Sequence, residues 1–286
     1  MNEEEKNTSC SAEGCSSEGC SSGGCSGSCS SCSGCGDQKL ASKMAKIGRK
    51  IIVMSGKGGV GKSSVAAAVA LKLAKSGRKV ALLDLDFHGP SQPTIFGASE
   101  FQASYDEVDG IIPIELGGVK LMSLGLLLGD NDSAVVWRGP AKMGVVKQLL
   151  EDVDYGELDD LVLDFPPGTG DEILSACQLI PGEKNAIVVT TPQEVSLADC
   201  RKCIDFCQKV ELNILGIVEN MSAFVCPDCG KSHALFSSNG GEKLAAKYNL
   251  PLLAKLPLDP KFMEACDYGT LPQDIDKFPQ FNDIVK

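Results

Sequence analysis

The chain has 286 residues, 43% of them hydrophobic and 23% charged, with a formal net charge of −11. This composition excludes a fibrous or wholly disordered chain and supplies enough apolar material for a sizeable core. Residues 1–48 hold six acids and four bases, so −9 of the charge falls on the remainder, which argues against non-specific attraction to nucleic acid or anionic lipid.

The opening residues MNEEEKNTSC are acidic and polar, and no apolar signal-peptide core follows them. The longest apolar runs, such as Leu124–Leu128, are too short to cross a bilayer. A cytoplasmic protein without a membrane or nucleic-acid partner is expected. In a reducing compartment its 14 cysteines point to metal ligands, redox groups or buried packing rather than structural disulfides.

Seven cysteines precede residue 36: Cys10, Cys15, Cys20, Cys25, Cys29, Cys32 and Cys35. Ser, Gly and Glu fill most of the space between them, leaving too little apolar surface to offset the entropy of ordering. Residues 1–47 are therefore expected to be a disordered, cysteine-rich tail and 48–286 a single domain. From Lys50 the pattern changes. Lys50–Met54 reads as a buried strand, and Ser63–Ser76 as a helix stopped at Gly77. Strands are also expected at Lys79–Leu83, Leu158–Asp164, Asn185–Thr190 and Ile214–Glu219. Helices are expected at Gly170–Ile180 and Ser196–Val210. This alternation predicts an α/β fold, a mostly parallel twisted sheet covered by helices on both faces.

Gly56-Lys57-Gly58-Gly59-Val60-Gly61-Lys62-Ser63 fits G-x-x-x-x-G-K-[ST] at every defined position, between a strand and a helix. The glycines let backbone N–H groups turn around phosphate oxygens, and the following helix points its positive end at the same anion. Ser64 extends the loop into that helix. Lys62 would neutralise the β/γ-phosphates and Ser63 would place a hydroxyl on Mg²⁺. Asp164 ends an apolar strand, the place for a second Mg²⁺ support. Asp84 and Asp86 end another strand and open a loop. Asp84 is expected to join the Mg²⁺ site, and Asp86 to orient or activate the attacking water. The expected fold is thus a P-loop NTPase.

Cys226-Pro227-Asp228-Cys229 is a CxxC in a loop. Two thiolates at this spacing suit an iron–sulfur cluster, a zinc half-site or a redox dithiol. A cluster or zinc needs four ligands, which a two-fold dimer supplies by placing the site on its axis. Cys200, Cys203 and Cys207 fall on one helical face and read as core packing, as do Cys177 and Cys266. His88 and His233 are read as non-catalytic.

Lys57 inside KGGVGKSS resembles the deviant Walker A ATPases of the MinD/ParA type, in which this lysine reaches across a dimer to the partner's nucleotide. The further blocks LDLDFHGPSQP (83–93), DFPPGTGDE (164–172), TTPQEVSLADCRK (190–202), ENMS (219–222), CPDCG (226–230), GGEKL (240–244) and LPLDP (256–260) are similar to the Mrp/ApbC family of iron–sulfur cluster carriers. The resemblance implies ATP as nucleotide and weak hydrolysis. It implies a homodimer, or a heterodimer with a homologous chain, and Asn220 with Pro257–Asp259 near the adenine. Asp171 falls in a nucleotide-responsive switch, and a [4Fe–4S] cluster is held by Cys226 and Cys229 of both subunits. Apo iron–sulfur proteins and scaffold proteins are the implied partners. Cys15, Cys29 and Cys32 match the first three ligand positions of an N-terminal cluster motif in the cytosolic eukaryotic-type members. Gln38 stands where the fourth ligand belongs. A second, labile cluster on Cys15, Cys29, Cys32 and Cys35 is one reading; a repetitive, metal-scavenging tail is the other. A positioning ATPase of the MinD/ParA kind and an electron-transfer ATPase like the nitrogenase iron protein are the alternative functions.

Overall fold

The computed structural model describes residues 33–87, 89–107, 110–128, 139–226, 229–236 and 239–284, the side chains of 33–38, 128 and 139–140 excepted. In chain order the elements are α1 (Ser33–Met44), β1 (Ile47–Ser55), α2 (Lys62–Lys75), β2 (Val80–Asp84), α3 (Gln92–Ile95), β3 (Ser104–Asp106), β4 (Gly110–Ile112), β5 (Ile114–Leu116) and β6 (Val119–Ser123). There follow α4 (Gly125–Leu128), α5 (Gly139–Glu151), β7 (Leu158–Asp164), α6 (Asp171–Leu179), β8 (Asn185–Thr190), α7 (Glu194–Lys209), β9 (Asn213–Glu219), β10 (Phe224–Val225) and β11 (Ser232–His233). The chain ends with α8 (Gly240–Tyr248), β12 (Leu252–Lys255), α9 (Pro260–Asp267) and α10 (Leu271–Asp274).

Eight strands form one sheet in the order β12-β9-β8-β1-β7-β2-β6-β5, parallel except for the β5–β6 pair. The expected α/β fold is present. β1 shows why its run of apolar residues is continuous rather than alternating. Ile51 and Val53 pack into the core on the α2 side, whereas Ile52 and Met54 pack into the core beneath α5, α6 and α7. A central strand with both faces covered has no polar face.

Register fixes the functional edge. Val53 of β1 and Asp84 of β2 both pair with Asp164 of β7. The C-terminal ends of these strands therefore align, at the crevice where parallel α/β sheets bind ligands. At the opposite end, buried Asp160 accepts from Arg49 Nε at 2.6 Å and from Arg78 Nε, tying β1, β7 and the turn after α2 together.

The expected disorder of residues 1–47 is corrected for 33–47. Leu40, Met44 and Ile47 recur at near-helical spacing and are buried at 4%, 1% and 4% exposure. They supply the apolar anchor that the Ser/Gly-rich residues before them lack, and α1 packs on α5. If α1 belongs to the folded unit, Met44→Ala leaves a cavity and lowers unfolding stability by about 2–4 kcal/mol, read by urea titration. A midpoint equal to wild type would place Met44 outside the cooperative unit.

Candidate functional site

The loop between β1 and α2 is held from several sides. Gly59 and Gly61 have φ of 77° and 82°, a left-handed backbone that glycine adopts without a Cβ penalty. Asn220, just past β9, donates from Nδ2 to Val60 O at 2.9 Å. A Cβ on Gly61 would overlap that amide, and one on Gly56 would overlap the α7 backbone at Asp199. Ser55 Oγ donates to Lys57 O at 2.9 Å, and Gly168 N donates to Ser55 O at 2.9 Å. The loop lines a cleft of ≈370 Å³ whose walls include Lys57, Gly58, Gly59, Gly61, Lys62, Ser63 and Ser64. Asp86 and Pro167 face them, with Cys266 and Asp267 contributed by α9.

A polar cluster lies under the loop. Lys62 Nζ pairs with Asp164 Oδ1 and lies 3.1 Å from Ser63 Oγ. Asp164 Oδ2 accepts from Gln92 Nε2 at 2.7 Å, and the same Nε2 donates to Ser63 O at 3.0 Å. Asp84 accepts from Asp86 N at 3.0 Å, from Gln92 N at 3.2 Å and from Ser123 Oγ at 3.3 Å. Asp84 and Asp164 are 1% and 0% exposed. Burial, reinforced by the charge of Asp164, pushes the Asp84 carboxyl up to about 8.

This donor set fits a hard dication. It comprises one hydroxyl and two buried carboxylates, all oxygen donors, with the buried, unpartnered carbonyl oxygen of Gln92 beside them. The three acids are sorted by position. Asp84 and Asp164 lie in the buried cluster, while Asp86 is half-buried on the cleft wall. Gln92 and Ser123 were not singled out from the sequence, since a lone glutamine before Pro93 and a serine at a strand end carry no motif.

Glu219 and Asn220, adjacent in sequence, serve two neighbours. Glu219 Oε2 accepts from Gly241 N at the start of α8, so the ENMS and GGEKL blocks meet in space. Segment 257–259 joins the strand leading to the CxxC. Leu258 N donates to Ala223 O at 2.7 Å, Leu258 bridges Phe224, and the Asp259 carboxylate caps α9 by accepting from Lys261 N at 3.0 Å.

β10 and β11 form an antiparallel hairpin pairing Phe224 with His233 and Val225 with Ser232. Cys226 N donates to Lys231 O, and Gly230 N to Cys226 O, both at 2.9 Å. Cys226, half-buried, and Cys229, exposed, therefore sit at the hairpin tip; Pro227 and Asp228 lie outside the described residues. No set of three or more His, Cys, Asp or Glu side chains poised to hold a metal occurs among the described residues. One chain's hairpin thus offers two thiols.

Cys15, Cys29 and Cys32 lie outside the described residues, and Cys35 falls in the first turn of α1. Cys200, Cys203 and Cys207 are buried with Cys177, and Cys207 Sγ lies 3.7 Å from Met54 Sδ. Burial pushes Cys177 and Cys200 up to about 12, which keeps them as neutral packing thiols.

The loop geometry separates two chemically identical substitutions. Gly56→Ala forces a Cβ into the α7 backbone and should cost about 1–3 kcal/mol of stability. Gly58→Ala meets nothing closer than Pro167 Cγ at 3.9 Å and should change stability by no more than about 0.5 kcal/mol. Urea unfolding of the pair checks this; equal midpoints would contradict the packing of the loop on α7.

Comparison with known proteins identifies the family of the chain. A family model described as NUBPL iron-transfer P-loop NTPase matches residues 46–285. The chain is 50% identical over 226 residues to the cytosolic Fe-S cluster assembly factor CFD1 of Kluyveromyces lactis, covering 77% of this chain and 80% of that one. It is 46% identical over 254 residues to the iron-sulfur cluster carrier protein of Methanocaldococcus jannaschii, covering 87% of each. Among solved structures, it resembles a nucleotide-binding protein from Archaeoglobus fulgidus in complex with ADP. Identity there is 37% and the TM-score 0.75, over 86% of this chain and 95% of that one. The septum site-determining protein MinD of Pyrococcus horikoshii, complexed with Mg-ADP, is 25% identical with a TM-score of 0.59, over 82% and 93%. With a family match over nearly all of the described chain, and relatives at about half identity whose lengths it largely spans, the protein belongs to the NUBPL iron-transfer P-loop NTPases.

Proposed function

We propose that this chain is a cytoplasmic iron–sulfur cluster carrier and assembly factor. It binds and slowly hydrolyses ATP, holds a [4Fe–4S] cluster as cargo between two subunits, and passes it to apo iron–sulfur proteins, with scaffold proteins as further partners. The observation that carries this reading is the connection between the two sites. Asn220 is bonded to the phosphate loop at Val60, and four residues later the chain enters the hairpin that presents Cys226 and Cys229. A positioning ATPase shares the loop but has no use for a thiol hairpin.

The nucleotide role of each residue follows from its place. Backbone N–H groups of 58–61 and the start of α2 cradle phosphates. Lys62, now paired with Asp164, has its ammonium within reach of the cleft and can exchange carboxylate for phosphate oxygen. Ser63, Asp84 and Asp164 would hold Mg²⁺, which supplies charge neutralisation at the phosphates. Asp86 on the cleft wall is placed to orient a water. Lys57, half-buried in the same wall, is the candidate for contact with a partner's nucleotide. Asn220, with Pro257 and Asp259 beyond it, is the proposed boundary of the base site.

A cluster held by Cys226 and Cys229 of each of two chains completes a Cys₄ set. The partner is a second copy or a homologous chain. Val225, adjacent to Cys226 in sequence, is 47% exposed, an apolar side chain suited to being covered. No helix among the described residues is long and apolar enough to cross a membrane. For Cys15, Cys29, Cys32 and Cys35 we keep the proposal of a second, labile cluster. Its check is iron content after removing residues 1–32, which leaves α1 intact; unchanged iron would sink it.

Anaerobic reconstitution with iron and sulfide tests the main reading. Wild type should gain about two more iron atoms per chain than Cys226→Ser, one cluster being shared by two chains. Lys62→Ala should keep that iron yet deliver it to an apo-protein at a rate unaffected by ATP, because the coupling between sites is lost. Equal iron in wild type and Cys226→Ser, or ATP-independent delivery by wild type, contradicts the proposal.

A further inference from the structure

Gln92 is fully buried; it lies inside the block 83–93, which gives it no role of its own. Its side-chain amide bridges two groups that a metal–nucleotide site must hold in fixed relation: Asp164 Oδ2 at 2.7 Å, from the end of β7, and the Ser63 carbonyl at 3.0 Å, from the first turn of α2. Its backbone N–H donates to Asp84 Oδ2 at 3.2 Å, from the end of β2. One residue thus ties together the three elements that converge under the phosphate loop.

Two consequences follow from this geometry. First, the carboxylate of Asp164 is oriented by division of labour, with Oδ1 engaged by Lys62 and Oδ2 by Gln92. If Lys62 moves to phosphate, Oδ2 stays tethered and Oδ1 is left to face a cation. Second, Gln92 closes the loop that opens at Asp84. Asp84 receives both Asp86 N and Gln92 N, so the start and end of the segment carrying Asp86 are pinned to one carboxylate. The remaining atom, Gln92 Oε1, is buried with no protein partner. A buried acceptor without a donor costs free energy, and a water of a bound metal ion is a donor of the right kind.

From these contacts we infer that Gln92 is a positioning residue of the Mg²⁺–nucleotide site, orienting Asp164 against Ser63 and making nucleotide affinity depend on the metal. The inference rests on the nucleotide reading given above. A residue that merely supported the fold would lower nucleotide affinity equally with and without metal. A residue that positions the metal ligands would act only when metal is present.

The test uses the full chain and two variants. Gln92→Met keeps the length and apolar stem but removes both the donor and the orphaned acceptor. Gln92→Glu keeps an acceptor but removes the donor and adds a carboxylate beside Asp164 and Asp84. ADP affinity is measured calorimetrically in EDTA and again in excess Mg²⁺. Wild type should bind more tightly with Mg²⁺. In both variants the EDTA affinity should match wild type, which also shows that they are folded, while the gain from Mg²⁺ should shrink by about tenfold, as expected for losing a hydrogen bond to a charged group. Mn²⁺ titrated into the ADP-bound protein and followed by electron paramagnetic resonance should show the same weakening. An undiminished Mg²⁺ gain in Gln92→Met, or equal losses with and without metal, overturns the role of Gln92. Wild type that fails to bind ADP, or binds it without regard to Mg²⁺, overturns the nucleotide reading itself and this inference with it.

Discussion

Asp164 pairs in register with Val53 on one side and Asp84 on the other, so the parallel sheet delivers two carboxylates to the same level beneath the phosphate loop. Both are buried, and two buried carboxylates repel; this drives Asp84 up to about 8. The arrangement persists because each oxygen has partners. Lys62 and Gln92 serve Asp164; two backbone N–H groups and Ser123 serve Asp84. Buried ion pairs of this kind contribute little net stability, since desolvation offsets the Coulomb gain. Their value lies in being one cation short. On the proposed reading, a divalent ion would neutralise the pair and a phosphate would take Lys62, so binding would supply the polar cluster with the charges it lacks.

How much of this could be read from sequence depended on how local the signal was. The phosphate loop was legible because its chemistry is contiguous: glycines, lysine and serine within eight positions, between a buried strand and a helix. β7, β8 and α2 were legible within a residue or two because their apolar runs are bounded by turn residues. α1 was not, because its anchor is three side chains, Leu40, Met44 and Ile47, read against a cysteine-rich background that suggested disorder. β5, β6 and the β3–β4 hairpin were missed because strands of three to five residues carry too few alternations to stand out. Gln92 was invisible for a different reason. Its role exists only once β2, β7 and α2 are brought together, and nothing in a single glutamine announces which elements it will bridge.

The cysteines divide by environment rather than by spacing. Cys200, Cys203 and Cys207 have helical spacing that could suggest a ligand set, yet all three are buried in the core, Cys207 against Met54, and burial pushes the Cys200 thiol up, disfavouring the thiolate that a metal requires. Cys226 and Cys229 stand at a hairpin tip. The same residue type is therefore packing material on α7 and a candidate ligand on the hairpin.

The hairpin is not an independent appendage. Its first strand bridges Leu258, Ser222 is bonded through N at 2.9 Å and Oγ at 3.0 Å to Leu256 O, and Asn220 reaches back to Val60. From phosphate loop to the first thiol there are seven residues, 220–226, with three separate anchorages. The Asn220 amide sits so close to Gly61 that a Cβ there would overlap it, so a shift of Val60 is felt directly at Asn220. Close-packed contacts of this kind pass displacements on rather than damping them. Nucleotide-dependent change at the loop therefore has a short, stiff route to the geometry of Cys226 and Cys229. On the proposed reading, in which two chains share a cluster, such change would alter the angle at which their hairpins meet and with it all four sulfur positions at once.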